Sequence, residues 1–577
     1  DAIARRLRFK WEDGIALDAL RIEPGPGAGV GATVARLVAA ARHAAALPQA
    51  FAVRQRFDGA TATIDELRDA VSGGADSIEL DLSRVVPAAV SARVHALAST
   101  VTGAGRELAL NSLPVADWDV VLPRLFELDM PIAAGLDPYS AWASAGASGD
   151  PGSGVAAMSR LVPFVGREGN SRLLRASGAV WFDAGATVAW SLALMVAAGL
   201  EYVRALRACG AAPAAAARQV ELELALGADL FEGLAAVRAS RLVWSRGLEV
   251  LGIDPVVPPR LVVTAGGRIL SRRDPWTNAL RETGVAFAAA VGGADVIRLP
   301  ALDARTGESP ASQRLARNTP LILREEAGLG RVADPAGGAW YLDAATGLLA
   351  ERVWVVLGEL DDAGGLGAAL ASGFVEQRIE AQRAARADAV RRRQRPITGV
   401  SEYPERAVPT RGATRHPTPV PSRFRLHADA EPFERLQDAA DSWADANRGR
   451  RSVLLVRLGS GEESAARVAF ARGIVEVGGL DVVVTPEATS PARAVELAAS
   501  SGAVAAIMCG ADARYAVEAV PVASALKSAG LRLLLVAGRP GADADALTAA
   551  GVDDFVFAGA DIAAVLERLL KVAGVLP

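Results

Sequence analysis

Short β-branched runs that alternate with longer amphipathic stretches restrict this chain to folds built on parallel sheets, because each run must return to its sheet through a covering helix. Eight such runs follow one another: FAVRQRF from Phe51, SIELDLS from Ser77, ELALNS from Glu107, IAAGLD from Ile132, SRLLRAS from Ser171, VELELAL from Val220, RLVVTAG from Arg260 and DVIRLP from Asp295. The stretches between them read as helices; TIDELRDAVSGG, for example, has a stop signal in Gly73 and Gly74. Eight strand–helix pairs predict a (β/α)8 TIM barrel, longer here than the ~250 residues typical of that fold. A second alternation begins at Ser452 with SVLLVRLG and continues through DVVVTP, AVAAIMCG, RLLLVAG and DFVFAG. Five strands with intervening helices predict a C-terminal doubly wound sheet of flavodoxin type, whose ligand site would lie at the carboxyl ends of its strands. Asp561 is placed to cap the last helix.

A chain of 577 residues exceeds what one hydrophobic core supports, so several domains are expected. The segment from Arg395, RPITGVSEYPERAVPTRGATRHPTPVPSRFRLHADAEPF, is dense in Pro and Arg and lacks apolar periodicity, which predicts an extended linker. The expected organisation is an N-terminal arm over 1–50, the barrel over 51–385, the linker over 386–450 and the flavodoxin-like domain over 451–577.

Composition narrows the chemistry. A net charge of −4 with 22 % charged residues gives no basic excess for nucleic acid or an anionic membrane. The uncharged run Ala184 to Leu200 is shorter than the ~20 residues a membrane span needs and predicts a buried helix. Cys209 and Cys509 stand far apart, no secretory leader pattern is visible at the start, and a cytoplasmic location is expected. The histidines are His43, His95, His416 and His427, of which His43 and His95 lie in helical patterns away from the strand ends, and no metal site is expected. Zinc-protease, P-loop and nucleophile-elbow motifs are absent. GAGVGATVAR at Gly27 suggests a phosphate turn but follows no strand, and Glu325-Glu326 reads as a contact pair instead of an acid/base couple.

Longer words carry a resemblance. ARNTPLILREEAGLGRVADPAGGAWYLD from Ala316, RRDPWTNALRETGVAFAAAVGGAD from Arg272, DAGAT at Asp183 and ITGVSEYP at Ile397 are similar, in order and spacing, to segments of the adenosylcobalamin-dependent acyl-CoA mutases, above all methylmalonyl-CoA mutase. The resemblance implies a family that interconverts (R)-methylmalonyl-CoA and succinyl-CoA through radicals. Its catalytic members carry D-x-H-x-x-G after the first strand of the cobalamin domain; the His ligates cobalt, the Asp orients it and the Gly leaves room for the nucleotide tail. Here LGSGEESAARV from Leu458 puts Ser460, Glu462 and Ala465 at those positions. A carboxylate is not the neutral nitrogen donor that a second carboxylate orients, and the added Cβ at Ala465 crowds the close approach. Catalytic members also carry S-G-Y-H at the fifth strand end, where this chain has Ser177-Gly178-Ala179-Val180. Ala179 and Val180 have no proton to give, and the seventh strand end offers only the Thr264 hydroxyl before Arg268.

The resemblance with these changed positions implies the non-catalytic small subunit of a heterodimer. Adenosylcobalamin and acyl-CoA would then be bound by a homologous catalytic large subunit, and this chain would hold no cofactor, metal or catalytic residue. VRQRF at Val53 and EPFERLQDAAD at Glu431 are similar to small-subunit segments. A divergent self-sufficient acyl-CoA mutase and a homo-oligomeric scaffold remain as alternatives. For a small subunit the barrel axis, which admits the pantetheine arm in catalytic members, is expected to be narrowed or blocked.

Overall fold

The computed structural model describes residues 8–18, 29–45, 51–86, 89–101, 106–128, 130–146, 149–166, 171–254, 256–332, 334–405, 423–486 and 489–577. The chain forms two compact units, one from Asp1–Leu270, Asn278–Arg383 and Ala413–Ala428, the other from Ser271–Thr277, Ala384–Gly412 and Asp429–Pro577.

In the first unit a short hairpin, β1 (Phe9–Lys10) and β2 (Ala16–Leu17), precedes eight parallel strands. These are β3 (Ala52–Asp58), β4 (Ser77–Asp81), β5 (Glu107–Asn111), β6 (Ile132–Leu136), β7 (Arg172–Ser177), β8 (Val220–Leu226), β9 (Arg260–Ala265) and β10 (Val296–Arg298), and β10 pairs with β3 to close the barrel. Each strand coincides with one of the eight apolar runs. Alternation places Ile78, Leu80, Leu108, Leu110, Leu222, Leu224, Leu261 and Val263 in the core cluster shared with the helices, each fully buried to within 1 %. Burial of that extent stabilises by ~1.5–3 kcal/mol per side chain. Helix Ile64–Ser72 starts with a capping box between Thr63 and Glu66 and ends at Gly73, as the pattern predicts. Helix Val188–Ala208 is long and apolar enough to cross a membrane, but its apolar window is mostly buried and it packs on β7 and β8. The hairpin joins the same core through Trp11, Ile15 and Leu17, and Asp13 Oδ2 accepts from Ala189 N at 2.9 Å, capping that helix.

The second unit holds five parallel strands, β11 (Ser452–Arg457), β12 (Asp481–Val484), β13 (Ala505–Cys509), β14 (Leu533–Ala537) and β15 (Asp554–Val556), in the order β12-β11-β13-β14-β15. This is the flavodoxin-type order, with its switch point between β11 and β13. Asp561 Oδ1 accepts from Ala564 N at 2.9 Å and caps helix Ile562–Val572.

The stretch 386–450 is not extended throughout, a correction to the reading from composition. Helix Phe374–Arg391 runs past residue 385, and Glu431–Asn447 is a helix with Pro432 in its first turn. Phe433, Leu436 and Ala440 recur on one face and bury it, a periodicity that the Pro- and Arg-rich residues before it obscured. Its opposite end of charge is used as well: Arg272 Nη2 and Arg273 Nη2 both lie 2.6 Å from Asp438. Residues 406–422, with His416, lie outside the described residues, as do Gly27 and the start of GAGVGATVAR; the rest of that motif from Val30 is helical.

Candidate functional sites in the barrel and at the switch point

A barrel of this kind carries its chemistry at the carboxyl ends of its strands, above an interior filled by side chains. The axis is filled by charge. Arg54 on β3 donates to Glu107 on β5 and to Glu221 on β8, both at 2.9 Å, and the second pair spans strands that are not neighbours, so it crosses the interior. Arg175 on β7 donates to Glu79 on β4 at 2.9 Å and reaches Glu221 at 3.3 Å. Arg298 on β10 pairs with Glu79 and lies 2.6 Å from Glu223 on β8, while Arg260 on β9 pairs with Glu107 and lies 3.4 Å from Glu221. No side chain among these four arginines and four glutamates is more than 10 % exposed. Ser77 and Ser177 hydroxyls complete the lattice, donating to Glu107 at 2.8 Å and Glu223 at 2.7 Å.

Burial alone would raise these carboxyls, but the guanidinium groups overcome it. Arg175, Arg298 and Arg54 hold Glu79 far below the usual carboxylate range, and Arg54, Arg175 and Arg260 do the same for Glu221. Arg260 and Arg54 bring Glu107 down to about 2, and Arg298 and Arg175 lower Glu223. The four glutamates are therefore ionised near neutrality, and they face four guanidinium groups.

At the carboxyl end of β7, Ala179 and Val180 open the short helix Ala179–Ala184. Both are half-buried and pack against the core, and Ala179 N donates to Ser177 Oγ at 3.1 Å. The fully buried Trp181 and Phe182 follow, with the Arg268 guanidinium 3.4 Å from the centre of the Phe182 ring. Arg268 is itself buried and donates to the carbonyls of Phe182 and Ala186, so it supports this turn from behind. Thr264 spends its hydroxyl on a neighbouring carbonyl at 3.3 Å. Asp137, after β6, is a carboxylate that sequence inspection missed. Burial raises it, but it accepts from Ser140 N, Ser177 N and the Tyr202 hydroxyl, the last at 2.6 Å, so both of its oxygens are engaged.

The second candidate site is the switch point of the small sheet. Ser460 is the N-cap of helix Gly461–Val477, its Oγ accepting from Glu463 N while the Glu463 carboxylate accepts from Ser460 N at 2.9 Å. Glu462 and Ala465 are exposed on the first turns of that helix. Backbone and side-chain hydrogen bonds from Ser460, then Arg514 at 3.2 Å, lower the Glu463 carboxyl. Gly459 N donates to Glu518 at 3.1 Å, which ties the end of β11 to the segment after β13. Tyr515 lies across the carboxyl ends of β13 and β14. Its hydroxyl is 2.7 Å from Ala537 O and 3.1 Å from Met508 O, accepts from Gly510 N at 3.1 Å, and is pushed up to about 12 chiefly by burial. Arg467 sits over the Tyr515 ring and donates to Gly510 O at 2.8 Å.

A corrin does not fit this donor set. The turn presents Glu462, an exposed carboxylate with no orienting partner among the described residues, and the crevice beside it is bridged by Glu463, Arg514, Glu518 and Tyr515. Among the described residues no group of three or more His, Cys, Asp or Glu side chains is arranged to hold a metal ion. His95 is exposed on helix Val90–Val101, and Glu325-Glu326 are exposed at the end of helix Pro310–Glu325.

The family model for methylmalonyl-CoA mutase matches residues 161–422. The methylmalonyl-CoA mutase small subunit of Streptomyces virginiae is 38 % identical over 444 residues, covering 76 % of this chain and 70 % of the relative. The chain belongs to the methylmalonyl-CoA mutase family. A probable small subunit from Mycobacterium tuberculosis is 33 % identical over 551 residues, 88 % of this chain and 87 % of its own. By contrast, a methylmalonyl-CoA mutase from Cereibacter sphaeroides is 36 % identical over only 226 residues, 38 % of this chain and 32 % of its own. Within the family the chain is therefore of small-subunit type, and the resemblance drawn from the words at 183, 272, 316 and 397 holds. Sequence inspection did not single out the interior charges, although VELELAL and SIELDLS alternate charge with apolar residues at the period of a strand, a signal that in a barrel puts the charges inside.

Proposed function

We propose that this chain is the non-catalytic small subunit of a heterodimeric adenosylcobalamin-dependent methylmalonyl-CoA mutase. Its homologous large partner binds the cofactor and the acyl-CoA and interconverts (R)-methylmalonyl-CoA and succinyl-CoA. The observation that carries this reading is the ionic lattice along the barrel axis. A pantetheine arm threaded there would have to displace ion pairs whose separation strands buried charges at ~3–5 kcal/mol each. The changed positions agree with it: Ala179 and Val180 offer no proton donor, and Ser460, Glu462 and Ala465 offer no nitrogen ligand, hinge for it, or clearance. The role left to the chain is to hold its partner in register through an obligate interface, commonly more than ~2,000 Å². Two unpaired cysteines suit the reducing cytoplasm in which we place the complex.

Co-expression with candidate large subunits tests the reading. Turnover of methylmalonyl-CoA is expected from the complex and none from this chain alone. A stoichiometric corrin spectrum on the isolated chain after incubation with adenosylcobalamin would instead favour a self-sufficient mutase, and purification as a homo-oligomer that ignores every large subunit would favour a scaffold.

A further inference from the structure

Residues 423–428 lie in the barrel unit beside the turn after β7, and between them and helix Phe374–Arg391 is a cavity of about 230 Å³. The strap is fixed in place. The Phe424 ring meets Trp181 edge-on at 5.0 Å between centroids, and His427 N donates to Asp183 O at 2.9 Å. Gly185, at φ +120°, lets the helix approach so closely that a Cβ there would come within 2.7 Å of Arg383 Cβ.

Charge in the cavity is unbalanced. Arg423 pairs with Glu376 at 3.5 Å and Arg383 with Glu380, but Arg425 has no hydrogen-bond or ion-pair partner among the described residues. His427 faces Arg383, whose Nη1 is 2.9 Å from both ring nitrogens. Burial, then Arg383 and Arg425, bring the imidazole down to about 4, against a smaller opposing pull from Glu380. Three guanidiniums and one suppressed imidazole thus face two carboxylates. The size is informative too. Drug-sized ligands occupy ~300–1,000 Å³, whereas each water takes ~30 Å³, so this space suits one small ion with a few waters.

We propose that the cavity between Arg383, Arg425 and His427 binds a small tetrahedral dianion, either free phosphate or the terminal phosphate of a monoester whose organic part stays in solvent. Planar guanidinium forks match such an oxyanion in pairs, and Arg425 gains the partner it lacks. The bound dianion also reverses the field on His427, so the imidazole takes up a proton and, for an oxyanion that stays doubly charged, binding tightens as pH falls from 7 towards 5.

Calorimetric titration of the full chain with inorganic sulfate, which stays doubly charged across that range, reads the binding directly, and the His427 ring resonances report its protonation. Binding with proton uptake is expected. Arg425→Gln, at an exposed position, should weaken it about ten- to hundredfold, and His427→Gln should remove the pH dependence. Phosphate and glycerol phosphate separate the two ligand forms: a free-anion site prefers the first by at least about tenfold, a terminal-phosphate site does not. No heat and no His427 response up to tens of millimolar sulfate, or unchanged affinity in Arg425→Gln with an intact circular dichroism spectrum, would overturn the proposal.

Discussion

The barrel interior and the switch point of the small sheet are the two places where a member of this family would be expected to hold its ligands, and they are filled by opposite means. In the barrel, eight buried ions reach across the axis and pair with one another, so no single residue can leave without stranding its partners. At the switch point, a surface capping box, an exposed ion pair between Glu463 and Arg514 and one buried tyrosine suffice. The first arrangement is costly to change and the second is cheap. Surface pairs contribute ~0–1 kcal/mol, whereas breaking a buried pair costs several.

The comparison breaks most easily in the barrel. Glu221→Leu, which removes the partner of Arg54, Arg175 and Arg260, is expected to cost ~3–5 kcal/mol in urea unfolding of the barrel unit, and the neutral double replacement Arg54→Met with Glu221→Leu considerably less. A single-site cost below ~1 kcal/mol would mean that the lattice is not what holds the axis closed.

A lone acid sharpens the contrast. Glu282 is buried, its Oε1 has no hydrogen bond, and burial first, then Asp303 and Glu308, push it up to about 8. A carboxyl raised in the folded state is protonated there while the unfolded chain is ionised, so stability falls as pH rises from about 4.5 through 8. Glu282→Gln should abolish that slope, stabilising the protein at pH 8 and leaving pH 5 unchanged. The lattice glutamates act with the opposite sign: lowered in the folded state, they contribute stability above about pH 4.5 that is lost as pH falls towards 2.

Ser460→Ala should cost ~1 kcal/mol, confined to the second unit, through the lost N-cap. Smallest is the expected effect of restoring the family motif. Ser460→Asp, Glu462→His and Ala465→Gly together should give no corrin spectrum, because Tyr515 and the Glu463–Arg514 bridge still close the crevice. A one-to-one bound corrin in that variant would show that the turn alone decides. In the barrel, Ala179→Tyr with Val180→His should yield no turnover from the isolated chain.

All thirteen parallel strands of the two sheets were legible in the sequence, because apolar-rich runs of six to eight residues flanked by helical patterns have few other uses. The helix at Glu431–Asn447 was not, since its apolar stripe of Phe433, Leu436 and Ala440 is diluted by six charged side chains and follows a Pro-rich segment. Changed positions such as Glu462 and Val180 could be placed only through a resemblance, as no local rule marks a ligand that is missing. Tyr515 escaped notice because its role depends on three backbone groups brought together from β13 and β14 and the loop between them.

The four-and-four balance inside the barrel has a consequence for how such a chain can diverge. A mutation that deletes one ion leaves an imbalance that folding must absorb, so lineages can cross that ground only by exchanging opposite charges in matched steps. A hollow axis is therefore separated from this one by coupled substitutions, and the closed form of the barrel is protected by the difficulty of leaving it.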